Sequence, residues 1–295
     1  MKILICICTY KRNKELIDCL REFQNMPIPQ NVKIQFLILD NTKNFFSKTT
    51  IRKFKKKFKY PLIHLNEKRR GIVNARNRCL KVIKKISCEY VVFFDDDCIV
   101  DKNWLVNLSK LAKKNDIEIV TGPQIHRNKM ANLFEKEYKK DLTEVNWAAT
   151  NNVIVKKTIL IKENMYFDYA LNKFGMGEDQ LFFSKLKRKG YRILWSKNLK
   201  VIEKSHTHRI NAQWIKDRSY RLGVIGYYID KNLNGVFYGY LINYLKSILY
   251  FFFAIFFLLK INNSINYLKF SNLLFRSYGR LIGPIVFKKI NFFKK

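Results

Sequence analysis

Short apolar runs alternate with amphipathic stretches along residues 1–120. Each run is four to seven residues long, which is typical of a buried strand rather than of a helix. Strands are predicted at residues 3–8, 33–39, 62–65, 90–94 and 117–120. Between them, apolar side chains recur at helical spacing, and helices are predicted at residues 15–23, 51–58, 71–85 and 104–112. The alternation predicts βαβ units, and therefore an α/β fold with a mainly parallel central sheet flanked by helices.

The pattern changes after residue 120 and again after residue 235, which divides the chain into segments 1–120, 121–235 and 236–295. The last segment opens with almost entirely apolar residues, but Lys246 leaves a charge-free core of only 13 residues. A spanning helix needs about 20 apolar residues, so a membrane-associated helical tail that lies on the bilayer surface is expected. The alternative is a helical subdomain that packs on the rest of the protein.

The charge is strongly unbalanced, with 57 Lys and Arg against 23 Asp and Glu, or a net charge of +34. Such a chain attracts anionic partners, whether nucleic acid, acidic lipid headgroups or phosphorylated small molecules. A hydrophobic content of 48% argues against a disordered protein. The six cysteines form no CxxC pair, which favours reduced thiols in a cytosolic protein.

The scarce acidic residues cluster where predicted strands end. Asp95, Asp96 and Asp97 directly follow the apolar strand 90–94, and Asp40 follows strand 33–39. In an open α/β sheet, the carboxyl ends of parallel strands converge on one crevice. Three adjacent carboxylates are tolerable there if a hard cation such as Mg²⁺ or Mn²⁺ binds between them. A solvated acidic turn is the competing interpretation.

Gly177, Glu178 and Asp179 begin the predicted helix 180–189. Carboxylates favour a helix N-terminus, so these acids could be a plain N-terminal cap or part of a functional site. Neither a GxGxxG fingerprint nor a GxxxxGK[ST] loop is present in the sequence.

Five motifs in this order resemble those of family 2 glycosyltransferases with the GT-A fold, a Rossmann-like architecture. The most similar subgroup contains bacterial exopolysaccharide and lipopolysaccharide glucosyltransferase-like enzymes, and the resemblance extends over residues 3–223. The motifs are Cys8-Thr9-Tyr10-Lys11-Arg12-Asn13, Asp40-Asn41, Arg70-Gly71-Ile72-Val73-Asn74-Ala75-Arg76-Asn77, Phe94-Asp95-Asp96-Asp97 and Gly177-Glu178-Asp179.

The resemblance implies a site for a nucleotide-sugar donor, most often a UDP-sugar. Asp40 would accept a hydrogen bond from the base, and Arg76 would lie near the diphosphate. Asp95 would hold the ribose, Asp97 would bind Mn²⁺ or Mg²⁺, and Asp96 could serve either function. The other donor-binding residues, by the same resemblance, are Thr9, Arg12, Arg70 and Gly71. The implied metal ligands are Asp95 and Asp97, with His206 or His208 as candidates to complete the set.

The resemblance further implies an inverting reaction in which Asp179 acts as the general base. Glu178 is the alternative base, or it binds the acceptor together with Asn152 and Gly177. The chain departs from the subgroup at Thr150-Asn151-Asn152, where Thr-Gly-Asn is common, and at Gln180-Leu181, where a third acid is common. A histidine is also usual just after a Val-x-Glu stretch, but here Lys204 follows Glu203.

The resemblance therefore predicts transfer of a sugar to a saccharide or lipid-linked saccharide acceptor in bacterial surface polysaccharide biosynthesis. An anionic membrane surface is an expected partner, with the enzyme peripheral at the cytoplasmic face of the inner membrane. Two other classes fit parts of the sequence. A basic nucleic-acid-binding protein fits the charge, but no nucleic-acid module is recognisable and none is expected as a partner. A sugar nucleotidyltransferase fits the paired acids, but the Gly-rich phosphate loop after the first strand is missing.

Overall fold

The computed structural model describes residues 1–114, 116–126, 138, 140–204, 211–261 and 263–292. The strands are β1 (Lys2–Thr9), β2 (Lys33–Asp40), β3 (Leu62–Asn66), β4 (Tyr90–Asp95), β5 (Cys98–Val100), β6 (Ile119–Thr121), β7 (Gln124–His126), β8 (Thr143–Glu144), β9 (Asn152–Lys156), β10 (Ile193–Trp195) and β11 (Val201–Glu203). The helices are α1 (Asn13–Asn25), α2 (Lys48–Lys55), α3 (Ile72–Ile83), α4 (Trp104–Lys114), α5 (Lys157–Glu163), α6 (Glu178–Arg188), α7 (Ala212–Asn234), α8 (Val236–Leu258) and α9 (Ser264–Phe292).

The chain divides into two compact units, Met1–Ser205 and His206–Lys295, called here the sheet unit and the helical unit. The boundary predicted at residue 120 separates two halves of one domain, and the boundary predicted at residue 235 begins the C-terminal segment. Strand β9 pairs with both β4 and β6, so the segments before and after residue 120 share one sheet. Helix α7 packs against α8 and α9, so residue 235 lies inside the helical unit.

The sheet unit contains the predicted α/β architecture, in a mixed rather than purely parallel form. The larger sheet has the strand order β3-β2-β1-β4-β9-β6-β10-β8. Strands β3, β2, β1 and β4 are parallel neighbours, and β9 is antiparallel to both of its neighbours. Apolar clusters cover both faces, which explains why these strands are continuous apolar runs in the sequence. The smaller sheet, β5-β11-β7, begins directly after the acidic turn at Asp96 and Asp97.

Helix α8 of the helical unit has small and polar residues on its buried side and large apolar residues on its exposed side. Buried positions on α8 include Gly239, Asn243 and Ser247, spaced four residues apart. Large apolar side chains of α8 point outward, with exposed fractions of 63% for Phe252 and 57% for Phe253. This is the reverse of a water-soluble amphipathic helix, whose apolar stripe faces the core.

Close backbone approach and interhelical hydrogen bonds hold the helical unit together. A Cβ added to Gly223 on α7 would meet the carbonyl oxygen of Arg276 on α9 at 2.3 Å. The Ser247 and Ser277 hydroxyls lie 3.0 Å apart, between α8 and α9. Small residues that allow helices to approach, together with polar side chains bonded between them, are typical of helices packed in a bilayer.

Among the described helices, α8 alone is long and apolar enough to cross a membrane, with a mean hydropathy of 1.9 over its best window. The helix has 23 residues and includes Lys246, which the sequence pattern treats as an interruption. In the structure, Lys246 Nζ donates a hydrogen bond of 2.7 Å to Asp230 on α7, so its charge is paired inside the unit. A basic residue in a helix thus need not end its apolar surface.

Candidate active site

The carboxyl ends of β1, β2 and β4 lie side by side, as the sequence predicts. Thr9 is in register with Asp40, and Cys8 is in register with Asp95. Strand β4 ends at Asp95, and the turn of Asp96 and Asp97 connects it to β5. The first motif and the acidic motif, far apart in sequence, therefore meet at one edge of the sheet.

Between them, Thr9 and Arg12 donate hydrogen bonds to two of the three acidic side chains, Asp96 and Asp97. Thr9 Oγ1 donates to Asp96 Oδ2 at 2.7 Å, and Arg12 Nη1 donates to Asp96 Oδ1 at 3.1 Å and to Asp97 Oδ2 at 2.8 Å. Burial raises the pKa of Asp96 to about 6, while the bonds from Thr9 and Arg12 act in the opposite direction. Arg12 is thus bound to the acidic turn itself, which the sequence did not predict.

Of the three carboxylates, Asp95 has the longest contact with an arginine. Burial raises its pKa to about 7, and the charges of Asp97 and Asp96 add to this rise. The charge of Arg76 opposes this rise in the pKa of Asp95, and Arg76 Nη2 lies 3.5 Å from Asp95 Oδ1. Two arginines, Arg12 and Arg76, thus contact three carboxylates at the end of β4, so acids outnumber cations there.

Arg76 on α3 joins the acidic turn to the N-terminus of α6. Its side chain is 8% exposed and its Nη1 donates to Glu178 Oε1, while Nη2 lies near Asp95. Burial alone would lower the pKa of Arg76, but Glu178 and Asp95 raise it overall. The guanidinium also lies over the ring of Phe167. One arginine therefore links residues that are about one hundred positions apart in the sequence.

Glu178 is buried, and one of its carboxylate oxygens has no partner. The residue is 3% exposed, and Oε2 lacks a hydrogen bond in the described part of the structure. Burial raises the pKa of Glu178, whereas Arg76 lowers it. A buried carboxylate oxygen without a donor is costly, and it marks a position where a bound hydroxyl could donate.

Asp179 is half-buried and lies beside the loop that contains Thr150. Its Oδ2 accepts a long hydrogen bond of 3.4 Å from the Thr150 backbone amide, and its Oδ1 accepts one of 2.7 Å from the Gln180 amide. Gly177, just before it, has a φ of +84°, a conformation that a side chain would disfavour. The glycine thus lets α6 begin with both carboxylates in its first turn.

Arg70 and Gly71 form the remaining part of the predicted donor side. Arg70 is exposed, and its guanidinium lies 5.5 Å from the ring centre of Tyr10 at the end of β1. Gly71 has a φ of +119°, and a Cβ there would lie 2.1 Å from the Asn172 side chain. The Gly71 amide donates to Asn41 Oδ1 at 2.8 Å, which ties the start of α3 to the end of β2.

Two predicted site residues, Asp40 and Asn152, are bonded within the protein. The Asp40 carboxylate accepts four hydrogen bonds from its own loop, from the amides and hydroxyls of Thr42 and Ser47. A nucleotide base would have to replace one of these four hydrogen bonds. Asn152 is fully buried and bonds Trp104 Nε1 and the Leu199 carbonyl, which gives its predicted contact with an acceptor no support.

Glu203 at the end of β11 is a site residue that the sequence indicated only weakly. In the small sheet it is in register with Cys98, which follows the acidic turn, and with His126. His126 Nδ1 lies 3.4 Å from Glu203 Oε2, and the charge of Glu203 contributes to the raised pKa of Asp95. The Val-x-Glu stretch was the available signal. His206 and His208, predicted to complete a metal site, lie outside the described residues.

The family model described as Glycosyl transferase family 2 matches residues 4–174. The chain belongs to glycosyl transferase family 2. This match covers the acidic turn and the Arg70–Asn77 motif, and the chain is therefore a glycosyltransferase.

A curated relative and several solved structures agree with this assignment. The chain is 25% identical over 231 residues to the succinoglycan biosynthesis protein ExoM of Rhizobium meliloti (strain 1021), which covers 76% of this chain and 73% of ExoM. It also resembles S. aureus TarS 1–349, with a TM-score of 0.55, 18% identity, and coverage of 79% of this chain and 66% of that one. This chain thus spans slightly less than two thirds of that TarS structure.

A second structural neighbour is the mannosyltransferase PcManGT from Pyrobaculum calidifontis, solved with GDP-Man and Mn²⁺. The TM-score is 0.58 at 16% identity, over 96% of this chain and 75% of that one. At such identities the likeness shows the fold, which is GT-A. The predicted family and fold class are therefore confirmed.

Proposed function

We propose that this glycosyltransferase moves a sugar from a nucleoside-diphosphate sugar to a saccharide hydroxyl, with inversion, in bacterial surface polysaccharide biosynthesis. The observation that carries the proposal is Arg76, which contacts both Asp95 of the acidic turn and Glu178 beside Asp179. Donor-binding and proton-accepting groups are thereby held at one edge of the sheet. The polysaccharide assignment rests on the likeness to ExoM, a succinoglycan biosynthesis protein.

The donor side is built from Thr9, Arg12, Arg70 and the start of α3. Arg70 is an exposed cation that can contact a diphosphate, and the absence of a side chain at Gly71 lets backbone approach it. A UDP-sugar is the favoured donor because TarS has been solved with UDP-GlcNAc, although PcManGT was solved with GDP-Man. Asp40 would contact the base by exchanging one of its loop hydrogen bonds for it.

Mn²⁺ or Mg²⁺ fits the chemistry of the acidic turn. Among the described residues, no three Asp, Glu, His or Cys side chains form a ready-made metal site. The excess of carboxylates over arginines at the turn nevertheless favours a hard cation, and carboxylate oxygens are its preferred ligands. Asp95 and Asp97 would hold the ion, and Asp97 would have to exchange its bond to Arg12 for it. When bound, the cation neutralises the negative charge of the leaving diphosphate.

The proton chemistry is assigned to Asp179. Its carboxylate would accept the proton of the acceptor hydroxyl as that oxygen attacks the anomeric carbon, a single displacement that inverts configuration. Glu178 is less suited to this task because its Oε1 is bound to Arg76. Its unpartnered Oε2 would instead accept a hydrogen bond from a substrate hydroxyl, beside Gly177. Arg76 would keep the two acidic motifs in register.

The helical unit would hold the enzyme at the cytoplasmic face of the inner membrane. Large apolar side chains exposed on α8 form a surface too apolar for a monomeric soluble protein, and they suit lipid. Whether this helix spans the bilayer or lies in its surface, the acceptor that such an enzyme would meet is a lipid-linked saccharide.

Ligand-induced stabilisation tests the donor and metal assignments together. A ligand that binds the folded state alone raises the unfolding temperature, so UDP with Mn²⁺ should raise it and EDTA should abolish the effect. Asp97→Asn should lose the metal-dependent shift, whereas the control Asp116→Asn, at an exposed carboxylate far from the turn in sequence, should keep it. A shift with GDP instead of UDP would correct the base. No shift with UDP, GDP, CMP or dTDP would refute the proposed donor site.

A further inference from the structure

Helix α2, the loop before it and the turn after it carry a dense set of unopposed cations. Residues 41–66 contain eight Lys and Arg and none of the 23 acidic residues of the chain. All eight side chains are exposed. They are Lys43, Lys48, Arg52, Lys53, Lys55, Lys56, Lys57 and Lys59, called here the α2 cationic face.

The apolar side of α2 is fixed, so the cations are held outward. Ile51 and Phe58 are buried in the core on one side of the sheet, with exposed fractions of 1% and 8%. The ring of Phe58 packs edge-on against Phe36 of β2, with ring centres 5.1 Å apart. The helix follows the loop held by Asp40, whose four hydrogen bonds fix its start. The cationic face is therefore a built surface and not a loose tail.

The α2 cationic face has no use in the active site described above. Within the described residues, none of its members is ion-paired to a carboxylate or bonded to the acidic turn. Lys59 lies over the Tyr60 ring, and the others have no such contact with an aromatic ring among the described residues. Like charges so close together repel each other and destabilise the folded state unless an anionic partner compensates. The partner must therefore be sought outside the sheet unit.

We propose that the α2 cationic face docks on an anionic lipid leaflet, as a membrane contact of the sheet unit itself. Clusters of four to eight Lys and Arg on an amphipathic helix are typical of such contacts, because each cation near the surface adds to the attraction. Phe46, which is 50% exposed just before α2, supplies an apolar group at the same surface. Aromatic and basic side chains together suit the headgroup region.

A lipid leaflet fits better than a nucleic acid for two reasons. The exposed cations lie on α2 and the segments directly before and after it, next to β3, the edge strand of the larger sheet, where a planar leaflet can reach them. The same chain carries the exposed apolar face of α8, and anchoring by that helix raises the effective concentration of α2 at the leaflet. The second reason rests on the proposed membrane attachment, so the test must read the two contacts separately.

The full-length protein is compared with two charge-matched variants in vesicle flotation. One variant carries Lys53→Gln, Lys56→Gln and Lys57→Gln in the α2 cationic face. The control carries Lys110→Gln, Lys113→Gln and Lys114→Gln, which are exposed lysines of α4. Vesicles are made of phosphatidylcholine alone, or of phosphatidylcholine and phosphatidylglycerol in equal parts. Binding to phosphatidylcholine alone measures the apolar contact of α8, and the ratio between the two vesicle types measures the anionic contact.

The α2 variant should lose about tenfold or more of its preference for phosphatidylglycerol, and the control should lose about twofold or less. The α2 variant should bind phosphatidylcholine and transfer sugar to a water-soluble acceptor at the wild-type level. Equal losses in both variants would overturn the proposal, because net charge alone would then explain the preference. An α2 variant that loses polynucleotide binding but keeps the lipid preference would overturn it in favour of a nucleic acid. Failure of the wild-type protein to bind phosphatidylcholine would count against the α8 anchor but not against α2.

Discussion

Each unit of this glycosyltransferase contains a buried arginine bonded to a buried acid, and the two pairs differ in their charge balance. In the sheet unit, Arg76 pairs with Glu178 and lies near Asp95, while Arg12 serves Asp96 and Asp97. Acids therefore outnumber cations at that site. In the helical unit, Asp230 binds both Arg280 and Lys246, so cations outnumber acids.

The difference teaches how to interpret a buried ion pair. Arg280 Nη1 also bonds Asn243 Oδ1 at 3.0 Å, and the Asn243 amide returns a bond to the Arg280 carbonyl. Both carboxylate oxygens of Asp230 are bonded, one to each cation, so this network joins three helices, and its one buried atom without a partner among the described residues is a donor, Arg280 Nε. Around Arg76, by contrast, the buried atom without a partner in the described part of the structure is an acceptor, Glu178 Oε2. A buried carboxylate oxygen without a donor favours a binding site, and a carboxylate bonded through both oxygens favours a structural role.

The largest effect should come from removing the proposed base, Asp179, next to Glu178 in the sheet unit. Asp179→Asn keeps the shape of the side chain but cannot accept the proton, so kcat should fall by about a hundredfold or more with the fold intact. Glu178→Gln should cost less, because it removes a charge that Arg76 partly satisfies. Initial rates of sugar transfer, with circular dichroism for folding, measure both. Near wild-type turnover in Asp179→Asn would show that another group is the base.

Conservative substitutions of the two arginines should separate activity from stability. Lysine keeps the charge but cannot bond two partners with a planar fork. Arg76→Lys should lower kcat by about tenfold or more, because Asp95 and Glu178 lose their link. Arg280→Lys should lower the unfolding temperature by about 4 °C and leave transfer to a soluble acceptor unchanged. The same loss of activity in both variants would mean that charge balance does not distinguish the pairs.

The apolar face of α8 should matter for membrane binding alone. Phe252→Asn with Phe253→Asn should lower binding to phosphatidylcholine vesicles by about tenfold or more, because two exposed rings lose their favourable burial in lipid. The matched control is Ile161→Asn with Tyr166→Asn, at exposed apolar positions of the sheet unit, which should have little effect. Equal losses would show that this face is not the lipid contact.

The smallest effect is expected at His64 on β3, whose Nε2 lies 2.9 Å from Ser47 Oγ in the loop bonded to Asp40. Burial is the main reason that the pKa of His64 is lowered from 6.5 to about 4, with Lys55 contributing and Asp40 opposing. The unfolded state therefore binds a proton before the folded state as the pH falls. His64 thus makes stability decrease from about pH 6.5 to pH 4, and His64→Gln should make that decrease shallower in urea titrations. Parallel curves for the two proteins would contradict the lowered pKa.

The sequence predicted most of the strands that form the site, because buried strands and amphipathic helices leave short periodic patterns. It placed strands close to β1, β2, β3 and β4, and it found the acids at their ends. It missed β5, β7, β8 and β11, which are only two or three residues long and therefore leave little pattern. The antiparallel position of β9 within the sheet was also hidden, since pairing between distant segments leaves no local signal.

The sequence by itself determined the family, the α/β character and the candidate acids, because each of these depends on residue types at short spacing. Only the tertiary structure decided how those acids are used. In that structure, the Asp40 carboxylate is hydrogen-bonded within its own loop, Asn152 is buried in the core, and Arg76 lies between two acidic motifs. A charged or polar side chain acts according to the partners that surround it. Those partners come from segments up to about one hundred residues away, and their positions are fixed only when the whole sheet has formed.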